Sequence, residues 1–299
     1  MAQLERRNFR RGLIVSAVAL FIFGSIGLWC YLLSDYLFQE NTAFTLRHVT
    51  IDSRSAVDSR WTDESGIAKL SADLGLQKGV TNIFAVDLNE LRSRTISRYP
   101  GIADITIRRI LPDTLAITIK ERMPLAMVLF SGPDGRKMEL KENLRRRDEG
   151  RERISELLTD EKAVLMSRAD FAGINQRLPE IKFEIENAVP GAVVDVHPGA
   201  ELVQLQYAVS LLKHAKTRAN LEIYAVIMTV RTERLEFPPN RWCIVRFKYR
   251  EHIATAILPP SDNVEDQLRV LEETVAESIA RGTPRATYDL RFQGRVVQR

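Results

Sequence analysis

The chain has 299 residues, 45% of them hydrophobic and 27% charged, a globular composition with length for two domains of roughly 150 residues each. The formal charge is +4 and the pI about 9.1, yet Arg6, Arg7, Arg10 and Arg11 against Glu5 in the first twelve residues supply most of that excess. The remainder is close to neutral, so the basic face of a duplex nucleic-acid binder is not indicated. Cys30 lies in an apolar run and Cys243 in a strand-like Trp-Cys-Ile-Val stretch, which implies no intrachain disulfide and excludes zinc ribbons. The four histidines are scattered, with no His-Glu-x-x-His spacing.

Residues 1–12 read as a short cytoplasmic tail. Leu13 to Leu33 carries 21 residues without a charge, the length an α-helix needs to cross about 30 Å of hydrocarbon. A cleaved signal peptide is the competing reading. Its apolar core is usually about 7–15 residues and ends in a small-x-small site, and Ser34-Asp-Tyr-Leu-Phe38 offers none. Trp29 and Tyr31 suit a membrane interface. Four arginines before the run, with Asp35 and Glu40 after it, place the N-terminus inside and the bulk of the chain outside the cytoplasmic membrane. The expectation is a single-pass anchor at 13–33.

From 44 to 127 the pattern predicts a small β-α-α-β-β domain. Phe44–Ile51 reads as a strand. Ile67, Leu70 and Leu74 share a helical face, with Thr62 as N-cap and Gly75 as stop. Asp87-Leu-Asn-Glu90 resembles a capping box, opening a helix that ends near Tyr99-Pro100. Ile105–Arg108 and Leu115–Ile119 alternate with period two around a Leu111-Pro-Asp-Thr114 turn. Ile83, Phe84, Leu88 and Leu91 read as core.

The run Asn82-Ile-Phe-Ala-Val-Asp87, then Tyr99-Pro-Gly-Ile102, Ile107–Leu115 and Glu121-Arg-Met-Pro-Leu-Ala126, in this order and directly after an anchor, resembles a POTRA domain. More narrowly, it resembles that of the FtsQ/DivIB family of bacterial cell-division proteins.

Between 131 and 162 the apolar pattern collapses. From Arg136 to Lys162, 17 of 27 residues are charged, both signs mixed. A solvated excursion is expected here rather than a docking arm. From 163 to 299 the reading is a mixed antiparallel β-domain with two amphipathic helices. Leu202, Leu205, Val209 and Leu212 mark one helix over about 199–217. Leu221–Val230, Trp242–Tyr249 and Ile253–Leu258 are strands. Asp262 is placed as the cap of the second helix, whose stripe is Val264, Leu268, Leu271, Val275 and Ile279, and Gly282 and Pro284 end it. The fold class is thus α+β, with one N-terminal transmembrane helix ahead of two outer domains.

The closing Tyr288-Asp-Leu-Arg-Phe-Gln-Gly-Arg-Val-Val297 also resembles the FtsQ family, at the end of its β-domain. There the terminal strand receives the small bitopic coiled-coil proteins FtsB and FtsL. The resemblance therefore implies a non-enzymatic divisome scaffold at the septum, with Tyr288, Leu290, Arg291, Phe292 and Gly294 as partner-binding residues. Period two sets Tyr288, Leu290 and Phe292 on one face and Asp289, Arg291 and Gln293 on the other. Phe292 suits either core packing or a partner anchor, and Arg291 either a solvated charge or a partner ion pair. Gly294 permits a bend. Strand 114–119 is a second candidate edge for recruitment.

No Gly-x-Ser-x-Gly elbow, phosphate loop or metal-ligand spacing appears. No catalytic residue, cofactor or metal is expected, and Cys243 reads as a buried small hydrophobe. The alternatives are another envelope-assembly scaffold or a membrane-anchored wall-modifying enzyme.

Overall fold

The computed structural model describes residues 18–33, 35–39, 41–54, 64–132, 134–140, 156–171, 177–186, 188, 193–194, 196, 198–199, 202–230 and 242–291. Thr62, Phe292 and Gly294, and most of the charged stretch within 131–162, lie outside them. The chain divides into two compact units. One takes in the described residues of Met1–Asp52, Trp61–Thr95 and Ile105–Ile119, and the other those of Ser53–Arg60, Ile96–Asp104 and Lys120–Arg299.

The first helix, α1 (Val18–Phe38), is the one helix among the described residues long and apolar enough to cross a membrane, and none of it is buried within the protein. After it come β1 (His48–Arg54), α2 (Glu64–Asp73), α3 (Leu88–Arg98), β2 (Ile102–Ile110) and β3 (Thr114–Glu121). This is the expected β-α-α-β-β order. The helix ends follow from local chemistry. Past α2, the Leu76 amide donates to Ser71 O at 2.9 Å and the Gly75 amide to Ala72 O at 3.0 Å. That pattern is a Schellman closure, and it needs the φ of +70° that Gly75 adopts without steric cost. At the start of α3, Asp87 Oδ1 accepts from the Asn89 and Glu90 amides at 2.8 and 3.1 Å, using donors the helix leaves orphaned.

The strands form a three-stranded sheet of order β1-β3-β2. Leu115, Ile117 and Ile119 of β3 are buried, with Leu46, Leu70, Ile83 and Leu91 from the surrounding elements. Here one expectation is corrected. Strand 114–119, offered as a recruitment edge, is the central strand, and its backbone groups are taken up by β1 and β2 on either side.

The second unit is organised on an eight-stranded sheet. Its strands are β4 (Ala126–Ser131), β6 (Glu156–Thr159), β7 (Leu165–Ser167), β8 (Glu180–Ile185), β10 (Leu221–Val230), β11 (Cys243–Tyr249), β12 (His252–Leu258) and β13 (Thr287–Asp289), in the order β13-β12-β11-β10-β8-β4-β6-β7. A two-residue pair, β5 (Glu139–Leu140) with β9 (Val193–Val194), stands apart from it. The sheet is mixed. β13 runs parallel to β12, and β8 runs parallel to both β10 and β4, while the other pairs are antiparallel. Helices α4 (Val203–Lys216) and α5 (Val264–Ala280) bury Leu205, Val209 and Leu212, and Val264, Leu268, Leu271 and Val275, against alternate residues of the strands. Each such side chain contributes about 1.5–3 kcal/mol relative to exposure.

Several strands fall where the sequence pattern indicated none, β4 and β6 among them. β4 lies across the end of the 44–127 segment, and β6 inside the charged stretch. In β4 both faces are buried, except for half-buried Met127, so the strand reads as a continuous apolar run and shows no alternation. In β6, Leu157 faces the main core and Leu158 a smaller cluster with Met166 and Phe171. The N-cap of α5 is also corrected. Asn263, not Asp262, presents Oδ1 to the Asp266 amide at 3.2 Å.

Candidate functional site: the terminal strand and its supports

β13 is three residues long and sits at the end of the sheet order. Its register sets Thr287, Tyr288 and Asp289 against Thr255, Ala256 and Ile257. The Thr255 amide donates to Ala286 O at 2.9 Å and the Leu290 amide to Ile257 O at 2.9 Å. Ala286, Tyr288 and Leu290 therefore turn their backbone groups toward β12, and by the alternation of a parallel ladder Thr287 and Asp289 turn theirs to the outer side.

Tyr288, predicted as a contact residue, is 1% exposed. Its ring packs near Phe247 (6.2 Å between centroids) and, edge-on, near His252 (6.3 Å). The Arg285 amide donates to the Tyr288 hydroxyl at 3.2 Å, and Ser278 Oγ donates to Val275 O at 3.0 Å. Ser278 has one hydroxyl proton, so the 2.6 Å contact between the two hydroxyls carries the proton of Tyr288. A directed chain of three hydrogen bonds thus ties the strand to the last turns of α5, and a buried phenol needs such a partner. His252 Nε2 donates to Arg285 O at 2.8 Å, fixing the approach to β13 from the other side. Tyr288 thus holds the strand from within.

Leu290 is half-buried and packs against the main core. Arg291 is not a solvated charge. Its Nε lies 2.7 and 3.0 Å from the two carboxylate oxygens of Asp289, Nη2 closes a second hydrogen bond to Oδ2, and the guanidinium stacks 4.4 Å over the Trp242 ring. These bonds hold the Arg291 pKa above its ordinary value, the Asp289 hydrogen bond being the main cause. The result is a flat ledge of acid, guanidinium and indole beside the terminal strand. Sequence reasoning reached Arg291 but not Trp242 or the role of Asp289. The signal for Asp289 was available, since residues two apart on a strand share a face. Nothing in local spacing announces Trp242, which lies some fifty positions away and reaches Arg291 only through the fold. Phe292 and Gly294 lie outside the described residues.

Elsewhere, Cys243 is fully buried among core side chains, and burial pushes its thiol pKa far up, so it is a packing residue and not a thiolate. Among the described residues no group of three or more His, Cys, Asp or Glu is placed to hold a metal ion. In the first unit, the turn before α3 is held by Arg109. Its Nε and Nη2 donate to Ile83 O and Val86 O, both at 2.7 Å, and its guanidinium lies 5.6 Å from the Phe84 ring centroid. Ile83 is fully buried and Leu91 nearly so, whereas Phe84 and Leu88 are half-buried.

Residues 68–122 match the family described as POTRA domain, FtsQ-type, covering α2 through β3 except for the first turn of α2. Over 123 residues the chain is 29% identical to the cell division protein FtsQ of Streptomyces bingchenggensis (strain BCW-1). That similarity takes in 41% of this chain and spans 40% of the length of that relative. With a POTRA domain of the FtsQ type following an apolar N-terminal helix, in an α+β chain, the protein is similar to the FtsQ cell-division proteins over this part of its length.

Proposed function

We propose that the chain is a non-enzymatic divisome scaffold. It is anchored by α1 with its N-terminus in the cytoplasm, its two units lie outside the cytoplasmic membrane at the septum, and it links inner division proteins to the wall-synthesis machinery. Its partners are FtsB-like and FtsL-like bitopic coiled-coil proteins, and one of them adds an extended segment along the terminal strand, including Arg291, Phe292 and Gly294. The observation that carries this reading is the placement of β13 as the last strand in the sheet order. There a partner strand gains backbone hydrogen bonds while alternate side chains select it. Tyr288 and Leu290 serve the site by fixing β13 on the core. The Asp289–Arg291–Trp242 ledge offers a partner an aromatic face and a charge that can exchange from Asp289 to a partner carboxylate.

The test is capture of partners by the full-length protein in detergent, beside Phe292→Ala and Arg291→Glu. Retention of two small single-pass coiled-coil proteins by the unchanged chain, and their loss in both variants with circular dichroism intact, is the expected result. Equal capture by all three moves the interface away from the terminal strand. Failure to capture any division protein refutes the scaffold role.

A further inference from the structure

The end of the first unit from which α1 emerges carries an apolar surface that partner binding at β13 does not use. Asn82 Nδ2 donates to Phe38 O at 2.9 Å and to Asn41 O at 3.3 Å, binding the turn at 78–82 to the last turn of the helix. Phe38 packs with Phe44 and Phe84, all three ring centroids within 6 Å of one another. The chain after α1 then runs between two tips. On one side Leu46 N donates to Thr81 O at 2.8 Å and Gly79 N to Leu46 O at 2.8 Å. On the other, Arg47 N donates to Asp113 O at 2.9 Å, which places the β2–β3 turn alongside.

Both tips point large apolar side chains outward. Val80 is 72% exposed, Leu111 60% and Ile110 53%. Beyond α1, the described residues include seven exposed large hydrophobics, and these three gather at one end of one unit. Turn 77–82 contains Lys78 and no acid. Arg47 stands beside it, with Asp113 3.9 Å away.

We propose that the Lys78–Val80 turn and the Ile110–Leu111 tip rest in the headgroup layer of the bilayer that α1 enters, so that the first unit lies on the membrane. The occupant follows from chain length. The 21 charge-free residues 13–33 match, at about 32 Å of helical rise, a hydrocarbon core of about 30 Å, which sets Leu33 at its edge and Phe38 five residues, about 7 Å, beyond it in the headgroup layer. The headgroup layer adds about 5–7 Å on that side. Val80 is two residues from Asn82, at most about 7 Å along the chain from the contact with Phe38. Exposed aliphatic side chains on a turn with a lysine suit that layer, where apolar burial and anionic lipid act together.

This inference rests on α1 being a membrane anchor, and the experiment separates the two. The full-length protein is reconstituted in phosphatidylcholine vesicles containing phosphatidylglycerol. An environment-sensitive NBD label is carried in turn at native Cys30, or at Val80→Cys, Leu111→Cys or Thr106→Cys in a Cys30→Ser background. Cys243 is buried and stays unlabelled. The expected result is quenching of the Cys30 label by nitroxide deep in the bilayer. The labels at 80 and 111 should show blue-shifted emission and stronger quenching by nitroxide at headgroup depth, with the label at 106 in water. If the Cys30 label is quenched while either the 80 or the 111 label reads water, the proposal is overturned and the anchor stands. If the Cys30 label is not quenched, the anchor fails and the proposal with it.

Discussion

Replacing Arg122 by alanine tests the energetics of the second unit at its most committed polar contact. Arg122 Nη1 lies 2.7 Å from Asp160 Oδ2, with side chains only 15% and 8% exposed, and Arg122 Nε donates to Pro100 O at 2.9 Å. Asp160 Oδ1 already accepts from the Lys162 and Val164 amides, both at 2.9 Å. Among the described residues Oδ2 depends on Arg122 alone. Removing one partner of a buried pair leaves an uncompensated charge and costs about 3–5 kcal/mol. The two amides holding Oδ1 place this case near the lower end, and the orphaned Pro100 carbonyl adds about 1 kcal/mol. A loss of about 3–4 kcal/mol is expected, read as a fall of about 1 M in the urea midpoint for a slope of about 3 kcal/mol/M. Because the cost is the stranded charge, adding Asp160→Asn to Arg122→Ala should recover part of it, giving a coupling energy of at least about 1 kcal/mol. A loss below about 0.5 kcal/mol for Arg122→Ala, the range of ordinary surface changes, would refute the argument. Equal stability of single and double variants would show that packing and not charge carries the effect.

Three other outcomes follow from the same structure. Tyr288→Phe should cost about 1 kcal/mol and speed hydrogen exchange at the Leu290 amide, while Tyr288→Ala should cost about 3–5 kcal/mol as a core truncation; unchanged exchange in both would remove Tyr288 as the support of β13. The hydrogen bond from Lys137 to Glu156, with Arg168 adjacent, holds the Glu156 carboxyl below its ordinary pKa of 4.5. A depressed carboxylate stabilises the fold above its unfolded pKa and loses that contribution as pH falls through the folded value. The stability gap to Glu156→Gln should therefore be constant at neutral pH and close below about pH 4.5, and a gap of the same size at pH 3 would contradict the assignment. Finally, Cys243 should resist a thiol reagent at pH 8 in the native protein and react on unfolding, whereas native-state reaction on the timescale of Cys30 in detergent would show that the β11 core opens.

The elements most legible in the sequence are those where one physical signal acts alone. The α5 stripe at Val264, Leu268, Leu271 and Val275 is a helical period with a glycine stop, and the structure buries these residues. Its cap was missed by one position because Asp262 and Asn263 are both competent, and the choice depends on where the chain leaves Pro259-Pro260. β4 and β6 were missed for different reasons. A strand buried on both faces has no alternation to read, and Leu157-Leu158 is too short a run to stand out among the charges around it. At the candidate site the face assignment of Tyr288 and Arg291 came from period two. Which of those faces is core depends on α5 and β12, elements whose nearness to β13 is a property of the folded chain. The central position of β3 was likewise beyond local reasoning, since strand order is set by crossovers and not by strand composition.

The parallel pairing of β8 with both β10 and β4 has a consequence for assembly. These pairings join residues 45 and 53 positions apart, a high contact order that favours slow, late closure of the sheet. β13 lies at one end of that sheet and comes last among the described strands. It gains its place only once β12 and α5, with Ser278, are in position to receive Tyr288. A chain cut short before Thr287 lacks this strand and leaves β12 as the end of the sheet among the described residues. Among the described strands, β13 is thereby one whose pairing reports that the helix and strand receiving it have already folded.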